Sequence, residues 1–139
     1  MITYVDTSAV VKLLVADEAG TATVEQLWVS STTLVCCEIG YVEARAALAA
    51  ANRARRLTAA GLRVARSTLE GLWAQLDVVP VTTALVRQAA DLAEAAGLRG
   101  YDAIHLAAAL LVQVDTFASS DARLCEVAAS HGLNVSKPG

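Results

Sequence analysis

Four carboxylates in this sequence stand where solubility alone would not place them. Asp6 directly follows the apolar run Ile2–Val5, and Asp121 comes just after the apolar run at Thr116–Ser119. Asp102 opens an apolar stretch after the loop bracketed by Gly97 and Gly100, and Glu43 sits inside the helical run Glu38–Ala51. At about 100° per residue, with Ile39 as origin, Glu43 falls at about 40°. That is within the arc of Val42, Ala46, Ala47 and Ala50, so Glu43 is expected to point into the protein. A carboxylate there costs several kcal/mol unless it is paired or metal-bound. Glu38, at the helix start, is ordinary by comparison. Each acid taken singly has a plain reading: Asp102 and Asp121 as N-caps, Asp6 as a turn residue, Glu43 as the partner of a buried arginine. Taken together they are less plain, because like charges about 4 Å apart repel by roughly 4 kcal/mol per pair at an effective dielectric near 20. A cluster of three or four calls for a cation, and oxygen-only donors select a hard one, Mg²⁺ or Mn²⁺.

The rest of the chain limits what such a site does. His105, three residues after Asp102 in an apolar helix, reads as a satisfied structural histidine, and His131 as a helix-ending one. The chain has no G-x-S-x-G elbow, no Walker lysine motif and no G-x-G-x-x-G. Carboxylates with a divalent ion and no nucleotide cradle suit metal-assisted hydrolysis of a phosphodiester.

Placing these acids requires a scaffold. The chain of 139 residues is expected to form one domain spanning 1–139. It is 55% hydrophobic and 18% charged, which excludes intrinsic disorder. With 29 Ala, 18 Leu and 17 Val against six aromatics, it favours helices packed on β-branched strands over a stacking platform for single-stranded nucleic acid. Strands are expected at Ile2–Val5, Thr33–Cys36, Val78–Val81, Thr116–Ser119 and Leu133–Val135. Helices are expected at Ala9–Val15 (capped by Ser8), Thr21–Val29, Glu38–Ala51, Thr58–Gln75, from Thr82/Thr83 to Ala96, Ala103–Val112 and Ala122–Ser130, with a break at Asp17–Gly20. Short aliphatic strands alternating with helices predict a three-layer α/β/α sandwich around a parallel sheet. Ligands of such sheets bind at the carboxyl ends of the strands, where Asp6 and Asp121 fall.

Charge is unevenly spread. Net charge is −3, yet Ala44–Leu69 carries six arginines and no acid, leaving five basic residues against all 14 acids elsewhere. Arg53, Arg55 and Arg56 in this lobe are candidates for RNA-phosphate contacts or for meeting an acidic stretch of a protein partner, with a merely solubilising face as the alternative. Cys36, Cys37 and Cys125 show no C-x-x-C pairing, which together with the lack of a signal-peptide pattern suggests a reducing cytoplasm. No apolar stretch reaches the roughly 18 residues of a membrane span.

Four segments in order resemble the PIN-domain family, and more narrowly the VapC-type toxins of toxin–antitoxin pairs. They are Val5-Asp6-Thr7-Ser8-Ala9, Glu43 within Tyr41-Val42-Glu43-Ala44-Arg45, Gly100-Tyr101-Asp102-Ala103-Ile104-His105-Leu106-Ala107, and Ser119-Ser120-Asp121 followed by Arg123-Leu124. The resemblance implies that Asp6, Glu43, Asp102 and Asp121 form a catalytic Mg²⁺ or Mn²⁺ site, with Ser8 and Ser119 as supporting hydroxyls. It also implies a central parallel sheet of four or five strands, endoribonuclease activity, a cognate antitoxin and usually a homodimer. A receiver domain or a haloacid-dehalogenase-type phosphatase would need acids or lysines that this chain lacks. The remaining alternative is a PIN-like RNA- or protein-binding module without turnover. The antitoxin is expected to lie across the first two helices, where Val11, Leu14 and Val15 neighbour Val24, Leu27 and Trp28.

Overall fold

The computed structural model describes residues 1–15 and 19–139, and the expected break at Asp17 begins outside them. Five strands form one all-parallel sheet: β1 (Ile2–Val5), β2 (Thr33–Cys37), β3 (Asp77–Val79), β4 (Thr116–Ala118) and β5 (Asn134–Ser136). Their order across the sheet is β3-β2-β1-β4-β5. The chain leaves β1 toward β2 and β3, then returns to lay β4 on the other side of β1. The sequential direction therefore reverses between β1 and β4, the point where open α/β sheets leave a crevice at their carboxyl ends.

Among the described residues the helices are α1 (Thr7–Val11), α2 (Thr21–Ser30), α3 (Ile39–Arg53), α4 (Ala59–Trp73), α5 (Thr83–Ala96), α6 (Gly100–Val112) and α7 (Ala122–Ser130). Side chains alternate across each strand, so the sheet has two cores. Tyr4, Val35, Cys37 and Phe117 face α5, α6 and α7; Val5, Leu34, Cys36 and Ala118 face α1 to α4. Gly40 is set by space: a Cβ there would lie 2.6 Å from Cys36 Sγ. All three cysteines are buried and free. No helix among the described residues is long and apolar enough to cross a membrane.

Several boundaries differ from expectation, each for a local reason. The first helix begins at Thr7, capped by Asp6 in place of Ser8: Asp6 has extended backbone (φ −78°, ψ 175°) and its carboxylate accepts from the Ala9 amide. Strand β3 ends at Val79, before Pro80, which has no N–H to donate to the ladder. Asp102 is not an N-cap; α6 starts at Gly100 with Arg99 in the cap position, and Asp102 lies in the first turn. Helix α3 is turned differently from the expected arc. Its buried stripe is Gly40, Ala44, Leu48 and Ala51, while Val42, Ala46 and Ala50 are exposed. Glu43 therefore stands at the edge of the buried stripe, half-buried, and not within an inward apolar arc.

Candidate active site

The carboxyl ends of β1 and β4 open into a cleft of about 550 Å³ lined by Asp6, Thr7, Ser8, Glu43, Arg99, Asp102, His105, Ser120 and Asp121, with Val11, Lys12 and Ala47 at its sides. The four acids identified in the sequence thus come together, each from a different element. Asp6 ends β1, Glu43 projects from α3, Asp102 from the first turn of α6, and Asp121 caps α7.

Asp6 is the most buried of them, at 5% exposure. Burial pushes its carboxyl up from the ordinary value, against the pull of nearby His105, the hydroxyls of Ser119 and Ser8, and the Ala9 amide. Ser8 Oγ donates to Asp6 Oδ1 at 2.6 Å and accepts from the Ser120 amide at 2.9 Å. Ser119 Oγ accepts from the Asp121 amide at 3.1 Å, while the Asp121 carboxylate accepts from the Leu124 amide at 3.0 Å. Both serines named from the sequence therefore sit inside the carboxylate network. The N-cap reading of Asp121 and its place on the cleft hold together.

The chain sets a cation of its own beside two of these acids. Arg99 donates from Nε to Asp102 Oδ2 at 2.8 Å and from its guanidinium to Asp121 Oδ2 at 3.3 Å. The hydrogen bond and charge of Asp102, with the charge of Asp121, raise the Arg99 pKa further. Arg99 was not among the sequence candidates; its only sequence signal is its place three residues before Asp102. Among the described residues, no three acid, histidine or cysteine side chains converge tightly enough to enclose an ion as they stand.

Glu43 is held by His105 and Thr7. His105 Nε2 lies 2.6 Å and Thr7 Oγ1 2.7 Å from the same oxygen, Glu43 Oε1. Half-burial raises its pKa, but the His105 hydrogen bond and charge, the Thr7 hydroxyl and the Arg99 charge together outweigh it, and the net shift is downward. Its partner is a buried histidine, not the buried arginine of the plain reading. His105 is satisfied, as expected, and 2% exposed, and it also lines the cleft. His131 caps the end of α7 as expected.

Arg53, Arg55 and Arg56 are exposed at the α3–α4 turn, and none of them lines the cleft. Arg45 is held by the Tyr41 hydroxyl at 2.9 Å. The expected groove on the first two helices is also relocated. Leu14, Val15 and Val24 are core residues, and the open apolar groove lies between α2 and α4, lined by Leu13, Trp28, Val29, Thr68 and Leu72. Trp28 is half-buried there, its indole N–H donating to Gln75 Oε1 at 2.9 Å.

Comparison with known proteins matches residues 3–130 to the PIN domain family. Ribonuclease VapC45 of Mycobacterium tuberculosis is 42% identical over 109 residues, covering 78% of this chain and 75% of that protein. Among solved structures, Mycobacterium tuberculosis VapC20, described as a toxin that cleaves the sarcin–ricin loop, superposes with a TM-score of 0.72 at 21% identity, covering 98% of this chain and 99% of that one. The Rickettsia felis VapBC2 complex, bound to a DNA fragment from its promoter, superposes with a TM-score of 0.70 at 13% identity and full coverage of both chains.

Proposed function

The chain belongs to the PIN-domain family, and from that premise we propose that it is a VapC-type endoribonuclease, the toxin of a toxin–antitoxin pair, which hydrolyses RNA phosphodiester bonds with Mg²⁺ or Mn²⁺. One observation carries the reading: carboxylates from four separate elements converge on one cleft at the β1/β4 reversal. Helix capping accounts for Asp6 and for Asp121 one at a time, but not for four carboxylates opening on the same cleft.

The donor set suits a hard divalent ion, being carboxylate and hydroxyl oxygen throughout, and Asp6, Glu43, Asp102 and Asp121 would hold it. When bound, the ion would polarise a phosphoryl oxygen and lower the pKa of a water molecule. The chain's own residues do the positioning. Ser8 and the Ala9 amide hold Asp6 in one orientation. Arg99, whose side chain is 80% exposed, makes only surface ion pairs and exchanges partners readily. Its planar guanidinium then meets an RNA phosphate at the cleft mouth. Arg53, Arg55 and Arg56 lie outside the cleft and would extend phosphate contact along the flanking RNA.

The direct test is cleavage of RNA by the purified protein with Mg²⁺, Mn²⁺ or excess EDTA, and by Asp6→Asn and Asp102→Asn variants of unchanged circular dichroism. Cleavage should need the ion and should be lost in both variants. Activity surviving excess chelator would refute the metal mechanism, and near wild-type turnover would remove that residue from the site. A folded, ion-binding protein that cleaves no RNA would return the chain to the silent binding module.

The partner expected is an antitoxin laying an amphipathic segment into the Leu13–Trp28–Val29–Leu72 groove and presenting a basic side chain to the carboxylates. Trp28→Ala should weaken antitoxin affinity; unchanged affinity would move the docking site elsewhere. A homodimer is expected as well, to be read by light scattering.

A further inference from the structure

A buried chain of hydrogen bonds runs from the backbone of β2 to the cleft. The Cys37 amide donates to Tyr4 Oη at 2.9 Å, Tyr4 Oη lies 2.6 Å from His105 Nδ1, and His105 Nε2 lies 2.6 Å from Glu43 Oε1. An ionised carboxylate only accepts, so the proton between His105 and Glu43 belongs to Nε2. At the other edge of the ring, Nδ1 pairs with the fully buried Tyr4 hydroxyl, which is itself tied to the Cys37 amide. Both ring nitrogens are thus used, in keeping with the lack of unpartnered buried side-chain N or O atoms among the described residues. The ring is also fixed by packing: Tyr4 meets it edge-on at 5.7 Å and stacks on Phe117 at 5.3 Å.

We propose that His105, its ring held in place by Tyr4, is a positioning residue that fixes Glu43 for ion binding. Both Glu43 hydrogen bonds fall on Oε1, from His105 on α6 and Thr7 on α1, which leaves Oε2 as the oxygen to face a ligand in the cleft. A glutamate on the edge of α3 would otherwise sample several rotamers, and a ligand that must first be ordered binds an ion less well. The same donor arrangement steadies carboxylate and imidazole ligands in metal sites generally, where losing the outer partner costs about 10–100-fold in affinity.

This rests on Glu43 being an ion ligand, as proposed above, and the test separates the two. Mn²⁺ alone is titrated, without RNA, into wild type, Glu43→Gln, His105→Leu and His105→Gln, with folding followed by circular dichroism. Mn²⁺ affinity should fall about 10–100-fold in His105→Leu and recover in large part in His105→Gln, whose amide N–H replaces the Nε2 donor. If wild type takes up no Mn²⁺, or Glu43→Gln binds it as well as wild type, the ion-ligand reading of Glu43 fails and this proposal with it. If Glu43→Gln weakens binding while a folded His105→Leu does not, the positioning role alone is overturned. Should His105→Leu not fold, ¹⁵N NMR of wild type decides: Nε2 must carry the proton that bonds Glu43. A wild-type Nε2 without a proton refutes the proposal.

Discussion

Asp121 has two duties that two substitutions pull apart. As N-cap of α7 it accepts from the Leu124 amide at 3.0 Å, and as part of the cleft it meets Arg99 at 3.3 Å. Asn caps a helix about as well as Asp, so Asp121→Asn keeps the cap and loses only the exposed pairing with Arg99 and one of the crowded charges. Asp121→Ala loses the cap, which costs about 1 kcal/mol within a range of roughly 0.5–2. For a chain of 139 residues, the entropy of unfolding converts about 1 kcal/mol into a Tm shift of about 3–4 °C. In EDTA, calorimetry should therefore find Asp121→Asn at or slightly above the wild-type Tm, and Asp121→Ala about 3–4 °C lower. RNA cleavage with Mn²⁺ should be lost in both. If Asp121→Asn drops as far as Asp121→Ala in EDTA, the charge itself stabilises the fold and the crowded-carboxylate reasoning is wrong. If Asp121→Asn cleaves RNA normally, Asp121 is a cap and nothing more.

Three other outcomes follow from the same geometry. In EDTA, Glu43 has its pKa held below the ordinary 4.5, so its stabilising effect is present above that value and is lost as pH falls through the depressed folded value. The Tm difference between wild type and Glu43→Gln should thus shrink on acidification, and a gap that stays constant from pH 7 to pH 3 would contradict this. Mg²⁺ should raise the wild-type Tm by mass action, about 2.7 kcal/mol of stabilisation at 100 times Kd, and an Asp6→Asn/Asp102→Asn double variant should show little of it; equal shifts in both proteins would place the ion elsewhere. Neutralising Arg55 and Arg56 together should flatten the log–log salt dependence of RNA binding by about one unit per lost phosphate contact, whereas an unchanged slope leaves the lobe a solvated face.

The acids of the cleft were legible in the sequence because their placement is a local matter. An aspartate directly after an aliphatic strand falls at the carboxyl edge of a parallel sheet whatever the strand order, and this holds for Asp6 and for Asp121 three residues past Ala118. The alternation of short strands and helices likewise made the three-layer architecture readable from periodicity alone. What tertiary structure decided is how those acids are partnered. Tyr4 and His105 are 101 residues apart, and they meet only because the crossing back to β4 carries α6 over the same face of the sheet as the Tyr4 side chain. Arg99 reaches Asp121 only once α6 and α7 begin side by side at the cleft. The setting of Glu43 was misread for a related reason: α3 carries alanine on most of its circumference, so hydropathy does not say which side is buried. Contact with α1 and α4 chose the Gly40–Ala44–Leu48–Ala51 stripe and left Val42 and Ala46 in solvent. A side chain's place along the chain follows from local pattern, but the direction it faces and the partners that hold it depend on neighbours that only folding brings near.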